Sequence, residues 1–167
     1  VVHSRPVAVD YGGDTGVVVV YGANDGVLRA INGNQGDTDG NELWSFVALE
    51  HYSKFARLRS NSPEVFYPGT PSATAARKDY FFDGPVTAYK DANNTWIYAT
   101  MRRGGNAVYA FNVSDPTTPE LKWKHDGVQV VDGTTTVHIG QTWSAPKVLK
   151  APGFRSGGVG TEKPLLI

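Results

Sequence analysis

The spacing of two prolines and two tryptophans constrains this chain most. Pro6 to Trp44 and Pro85 to Trp123 both span 38 positions. The same series runs between the members of each pair. A β-prone stretch follows the proline, then a Gly/Asp/Asn-rich turn and a second β-prone run. An apolar-x-Ala stretch ending in Asn comes next, then a polar loop, Glu-Leu and the tryptophan. Ala30 and Ala110 fall 24 and 25 positions after their prolines. A register shared by this many features marks an internal repeat. A third proline-led segment, TWSAPKVLKAPGFRSGGVGTEKPLLI, occupies 142–167.

Each unit predicts four strands from its β-branched and aromatic runs. In the first they cover about 7–11, 17–22, 27–32 and 42–46, and in the second about 86–90, 96–100, 107–112 and 121–125. The unbroken run Val17–Tyr21 reads as a strand covered on both faces, whereas Trp96–Ala99 alternates. Four short antiparallel strands cannot bury both faces alone. Sheets stacked face to face around an axis can, with the fourth-strand tryptophan wedged between neighbours. The fold class expected is therefore all-β: a β-propeller fragment of four-stranded antiparallel blades, two full blades plus part of a third, with a short helical insertion. Blade one covers 6–46, the insertion 47–83, blade two 85–125 and the start of blade three 142–167. A β-sandwich is the competing architecture, but it gives no reason for the repeated register. Closing a propeller takes about 4 to 8 blades, so the chain reads as a piece of a longer protein. The missing initiator Met and the apolar ending Lys163-Pro164-Leu165-Leu166-Ile167 agree with that.

The glycines of GVVVVYGANDGVLRAINGNQG, 16–36, invite a phosphate-loop reading. The repeat assigns Ala23-Asn24-Asp25-Gly26 to a hairpin turn instead, where Asp-Gly tolerates positive φ. The second unit places Met101-Arg102-Arg103-Gly104-Gly105 at the same point. No helical pattern follows Gly26, and neither GxxxxGK[ST] nor GxGxxG occurs.

The connection from Trp44 to Pro85 is 18 residues longer than that from Trp123 to Pro146. Apolar residues at 48, 52, 55 and 56 predict an amphipathic helix of one to three turns within 47–60, and the three prolines of 60–71 end it. Such an insertion either binds partners or caps one end of the ring.

The chain carries 16 basic and 16 acidic residues with no basic run, so nothing points to nucleic acid or an anionic membrane. Cysteine is absent, which excludes disulfides, thiolate metal sites and thiol catalysis. No apolar run approaches the roughly 20 residues of a transmembrane segment.

Candidate chemistry is sparse. The loop Asn34–Glu42 offers oxygen ligands, with Asp37 and Asp39 the first choices for a metal, but it lacks a D-x-D-x-D-G pattern and reads first as a polar turn. His3, His51, His125 and His138 show no ligand spacing and read as structural or surface residues. Asp79, Asp83 and Asp91 read as turn carboxylates. Arg102 and Arg103 read as a solvated pair at a hairpin tip, equally able to touch a partner. Asn93-Asn94-Thr95 and Asn112-Val113-Ser114 match the N-glycosylation pattern, relevant only in a eukaryotic secretory protein. No catalytic or cofactor-binding residue is identified.

The series VVHSRPVAV, VVVVYGANDGVLRAINGNQG, ELWSFVALEHYSKFARL, YFFDGPVTA, WIYATMRRGGNAVYAFNVSDPTTPELKWKH and GQTWSAPKV resembles the C-terminal β-propeller of the PilC/PilY family. These are type IV pilus tip-associated adhesins and biogenesis factors of Gram-negative bacteria. The resemblance covers almost the whole chain. It implies a modified seven-bladed propeller and a non-enzymatic binding and assembly role in pilus extension, twitching motility and surface attachment. The implied location is extracytoplasmic, at the pilus tip, outer membrane or cell surface. Implied partners are other type IV pilus subunits or tip minor pilins, and a host or abiotic surface receptor. Calcium is implied in the full-length propeller through a D-x-D-x-D-G-x-x-D loop, a motif absent from these 167 residues. The alternative is the propeller of a pyrroloquinoline-quinone-dependent dehydrogenase, which shares the G-A-N-D-G and E-L-W motifs but uses a vicinal Cys pair that this chain lacks.

Overall fold

The structure, a computed structural model, describes residues 1–37, 39–66, 74–131, 133–150, 153 and 164–167, with backbone alone at 128–131. Strands β1 (Val7–Asp10), β2 (Val17–Gly22), β3 (Val27–Asn32) and β4 (Glu42–Val47) pair in that order as an antiparallel meander. An insertion follows, with helix α1 (Tyr52–Ser60). Strands β5 (Val86–Lys90), β6 (Thr95–Thr100), β7 (Val108–Asn112) and β8 (Glu120–His125) form the second meander.

The two sheets repeat each other down to an irregularity. Ala30 lies opposite Trp44, and Ala110 opposite Trp123. In both sheets the register shifts immediately after that alanine, a β-bulge that skips Leu43 in one and Lys122 in the other. Facing residues on antiparallel strands sit close on one side of the sheet. A small residue there leaves room for the indole, and both alanines are fully buried. The turn after β2 forms on Ala23-Asn24-Asp25-Gly26: the Gly26 N–H donates to the Ala23 carbonyl (3.3 Å) and Gly26 has φ +97°. A left-handed residue at this point suits glycine.

The meanders share one core and stack as neighbouring blades. Val18, Val20, Leu28, Ala30 and Trp44 of the first pack with Val86, Ile97, Ala99, Tyr109 and Phe111 of the second. Trp44 lies 6.3 Å from the Phe111 ring, and its Nε1–H donates to the Pro116 carbonyl at 3.0 Å. The Tyr11 hydroxyl donates to the Val113 carbonyl at 2.6 Å. Trp44→Phe keeps most of the apolar contact and removes the hydrogen bond, so a loss of about 1–2 kcal/mol is expected in urea denaturation.

β2 departs from its expected burial. Val18 and Val20 are buried, but Val17, Val19 and Tyr21 are only half-buried. One face of the sheet meets the second blade; among the described residues no sheet covers the other.

Past β8 the chain forms a hairpin that the sequence reading leaves unassigned, β9 (Val128–Val131) with β10 (Thr135–His138). Next come β11 (Val148–Lys150) and β12 (Pro164–Leu166), also antiparallel. β11 extends the repeat. Lys90, closing β5, sets its ammonium 5.4 Å from the Tyr11 ring, and Lys150, closing β11, sets its own 5.5 Å from the Tyr89 ring. The lysines closing β5 and β11 thus make similar cation–π contacts with a tyrosine at or just past the first strand of the preceding unit.

The insertion opens with a 3-10 turn, Leu49–His51, running into α1. Asn61 ends the helix at φ +51°, with its N–H bonded to the Arg57 carbonyl, and Pro63 follows. The Arg57 guanidinium ties the segment down, donating to the carbonyls of Pro63 (2.9 Å), Ala76 (3.1 Å) and Arg77 (2.6 Å) and to Asp79 Oδ2 (2.8 Å).

Candidate functional site

The insertion rejoins the blades through Phe81-Phe82-Asp83-Gly84-Pro85. Phe81, Phe82 and Asp83 are completely buried. Phe82 meets Phe46 of blade one (6.1 Å), Tyr109 of blade two (5.6 Å) and His51 of the insertion (5.3 Å). Phe81 meets His51 edge-on at 4.9 Å and stacks on Phe55 at 5.9 Å. Two glycines admit this segment. A Cβ on Gly22 would lie 2.3 Å from the Phe82 carbonyl oxygen, and one on Gly104 would lie 1.7 Å from that of Phe81.

A charge cluster closes one side of this seam. Arg103 donates from Nε to Asp83 Oδ2 (2.9 Å) and from a terminal nitrogen to Oδ1 (3.3 Å). The guanidinium stacks on Tyr80 at 4.0 Å and donates to its hydroxyl at 3.2 Å. His3 Nδ1 lies 3.1 Å from Asp83 Oδ1, and Asn24 bonds the same ring nitrogen at 3.0 Å. A buried carboxylate needs such partners. The hydrogen bond that Arg103 donates to Asp83 holds the guanidinium pKa above its ordinary value. Two sequence expectations are corrected here. Arg103, although its side chain stays 36% exposed, is paired rather than free at the tip, and Asp83 is not an ordinary turn carboxylate. They lie 20 positions apart and meet because the segment before β5 crosses the turn after β6. A carboxylate flanked by Phe-Phe and Gly-Pro was the available signal. Arg102 has a different partner: it has φ +50° and stacks on Trp143 at 4.9 Å.

The other side of the seam carries Glu50. It accepts from the Tyr109 hydroxyl at 2.6 Å and pairs with Lys124 at 3.4 Å. Burial alone would raise the Glu50 carboxyl, but Tyr109, its own backbone and Lys124 hold it below the usual carboxylate range. Burial, then Glu50, pushes the Tyr109 phenol far up, which keeps it a donor. Beside Glu50, His51 is fully buried, and among the described residues neither ring nitrogen has a hydrogen-bond partner within 3.5 Å. Burial first, and Lys54 second, pulls its pKa down to about 4.

The remaining sequence candidates are scattered. Asp37 is exposed. Asp39 is half-buried, with Oδ2 enclosed and without a partner among the described residues. Among the described residues no group of three His, Cys, Asp or Glu side chains could hold a metal ion. Asp79 serves Arg57. Asp91 accepts from the backbone N–H groups of Asn93 (3.0 Å) and Asn94 (2.9 Å). His125 lies 4.7 Å from Trp123, and His138 is exposed. Asn93 is exposed, while the Asn112 side chain is engaged by Ser114. No helix among the described residues is long and apolar enough to cross a membrane. The seam's charges are spent on one another, so this constellation is suited to holding the insertion in one pose. The insertion in turn displays apolar side chains: Leu49 is 77% and Tyr52 58% exposed, and Leu58 and Phe66 are also exposed.

No protein-family model matches the chain. Curated relatives do. The type IV pilus biogenesis factor PilY1 of Pseudomonas aeruginosa PAO1 is 30% identical over 111 residues, covering 64% of this chain and 8% of that protein. PilY1 of strain UCBPP-PA14 is 27% identical over 137 residues, 79% of this chain and 10% of that protein. The PilY1 homolog of Xylella fastidiosa Temecula1 is 26% identical over 136 residues, 78% of this chain and 9% of that protein. The chain thus spans a tenth or less of the curated relatives it matches. The crystal structure of the Pseudomonas aeruginosa PilY1 C-terminal domain overlays 68% of this chain and 19% of its own at 23% identity, with a TM-score of 0.39. The family resemblance drawn from the motifs is the one these relatives carry.

Proposed function

We propose, from the premise that this chain is a PilY1-family propeller segment, that it serves a type IV pilus biogenesis factor as a non-enzymatic assembly module. The supporting observation is its relation to PilY1 proteins over 64–79% of its length. In this reading the blades are a scaffold and the insertion is the working surface. Leu49, Tyr52, Leu58 and Phe66 are its contact residues, and other pilus components are their partners. Promotion of pilus extension, and through it twitching and surface attachment, follows as the role of the whole protein at the cell surface. Calcium belongs to parts of the protein outside this chain. None of the relatives above bears a dehydrogenase name, and the chain has no cysteine for the vicinal pair of a quinone enzyme.

The test is a Leu49→Ser/Tyr52→Ser/Leu58→Ser variant of the full-length protein in a strain lacking its own copy. Surface pili are counted by electron microscopy, with immunoblotting for the protein. Pilus number is expected to fall at least several-fold at unchanged protein level. Undiminished piliation in the deletion strain would remove the pilus role. Full complementation by the triple variant would remove the insertion as its surface.

A further inference from the structure

We propose that His51 is an acid-sensitive latch: protonating its ring frees helix α1, and the insertion with it, from the seam between the two blades. This goes beyond the pilus reading and does not depend on it.

The geometry is specific. His51 is the residue where the 3-10 turn passes into α1, so the helix cannot leave the seam without moving this ring. The ring is wholly buried and held edge-on by Phe81 (interplanar 87°) and Phe82 (79°). Among the described residues neither nitrogen has a hydrogen-bond partner within 3.5 Å. As a neutral imidazole it fills an aromatic slot. As an imidazolium it becomes a buried cation, and the slot meets it with the Phe81 and Phe82 rings and, as polar relief, the Gly26 backbone, too little to offset its burial.

Among the described residues no neighbouring carboxylate is free to neutralise that cation. On its own segment Lys54 repels it; Glu50 would attract it but is held by Tyr109 of β7 and Lys124 of β8. The turn after β2 offers the Gly26 backbone, while Asp25 in that turn is paired with Arg29. The segment before β5 brings Phe81 and Phe82, and its Asp83 is held by Arg103. On α1 itself no side chain is fully buried: Phe55 and Lys54 reach the seam through the Phe81 ring, and Arg57 bonds within the insertion, to Pro63, Ala76, Arg77 and Asp79.

The sign follows from the two states. In the seam the ring titrates near 4, and released into water near its ordinary 6.5. Between those values the released form binds more protons. The docked state is therefore fully favoured above pH 6.5 and loses ground as pH falls toward 4.

The experiment follows the His51 ring by NMR and α1 amide exchange by mass spectrometry from pH 7.5 to 4, corrected for intrinsic rates. Strands β6 and β7 serve as the internal reference. Protection of 52–60 is expected to fall about a hundredfold by pH 4, tracking the ring's titration, while β6 and β7 stay protected. His51→Phe and His51→Leu are expected to abolish the pH dependence. The proposal is overturned if α1 keeps its protection at pH 4. It is equally overturned if α1 opens only together with β6 and β7, or if both variants open with the wild-type midpoint.

Discussion

Truncating Phe82 to alanine is expected to destabilise the chain by about 3–5 kcal/mol, the largest effect of any single core substitution here. The side chain is completely buried and touches all three parts of the molecule: Phe46 of blade one, Tyr109 of blade two and His51 of the insertion. Its backbone is pressed against Gly22, so the site cannot easily collapse around a void. Each ring–ring contact adds about 0.5–1.5 kcal/mol beyond area burial. The expected readout is a midpoint shift in urea and a fall in Tm of roughly 10 °C, at about 2–4 °C per kcal/mol for a chain of this size. Phe82→Leu restores most of the volume and is expected to recover more than half of the loss. A drop below 1 kcal/mol for Phe82→Ala would show that the seam does not couple the three parts.

Removing the Arg103 charge is expected to come next, at about 2 kcal/mol for Arg103→Leu, less than a fully buried pair would cost because the arginine side chain is 36% exposed to water. The cost arises from its partner. Asp83 has no exposed surface, and without Arg103 its charge would have only the His3 ring beside it. The variant also loses the stack on Tyr80. Asp83→Asn added to Arg103→Leu is expected to recover at least half of the loss, because no charge then stays buried. A double-mutant cycle in urea reads this as a coupling energy of about 2 kcal/mol. Coupling near zero would mean that the bidentate geometry contributes nothing to folding.

How far the sequence reached can be seen from particular residues. The blade strands were legible, since Val17–Gly22, Val27–Asn32 and Val86–Lys90 fall where the β-prone runs lie. So was the turn on Gly26, because chain reversal between strands depends on a few local φ values. The equivalence of Trp44 and Trp123 followed from counting, and the structure adds the alanine opposite each and the bulge beside it. The hairpin β9–β10 was missed: it stands outside the repeated register, and its strands are only four residues each.

What the sequence by itself determined about this protein is periodic: which stretches are strands, where they reverse, and that one unit occurs twice. Those properties depend on residues a few positions apart, whose chemistry is written side by side. Only the tertiary structure decided that Asp83 and Arg103 neutralise each other, that Tyr109 serves Glu50 across 59 positions, and that His51 is sealed between two phenylalanines. Charge pairing and burial are properties of distance in space. That distance is set by how the sheets stack and where the insertion folds back, which no local run of residues encodes.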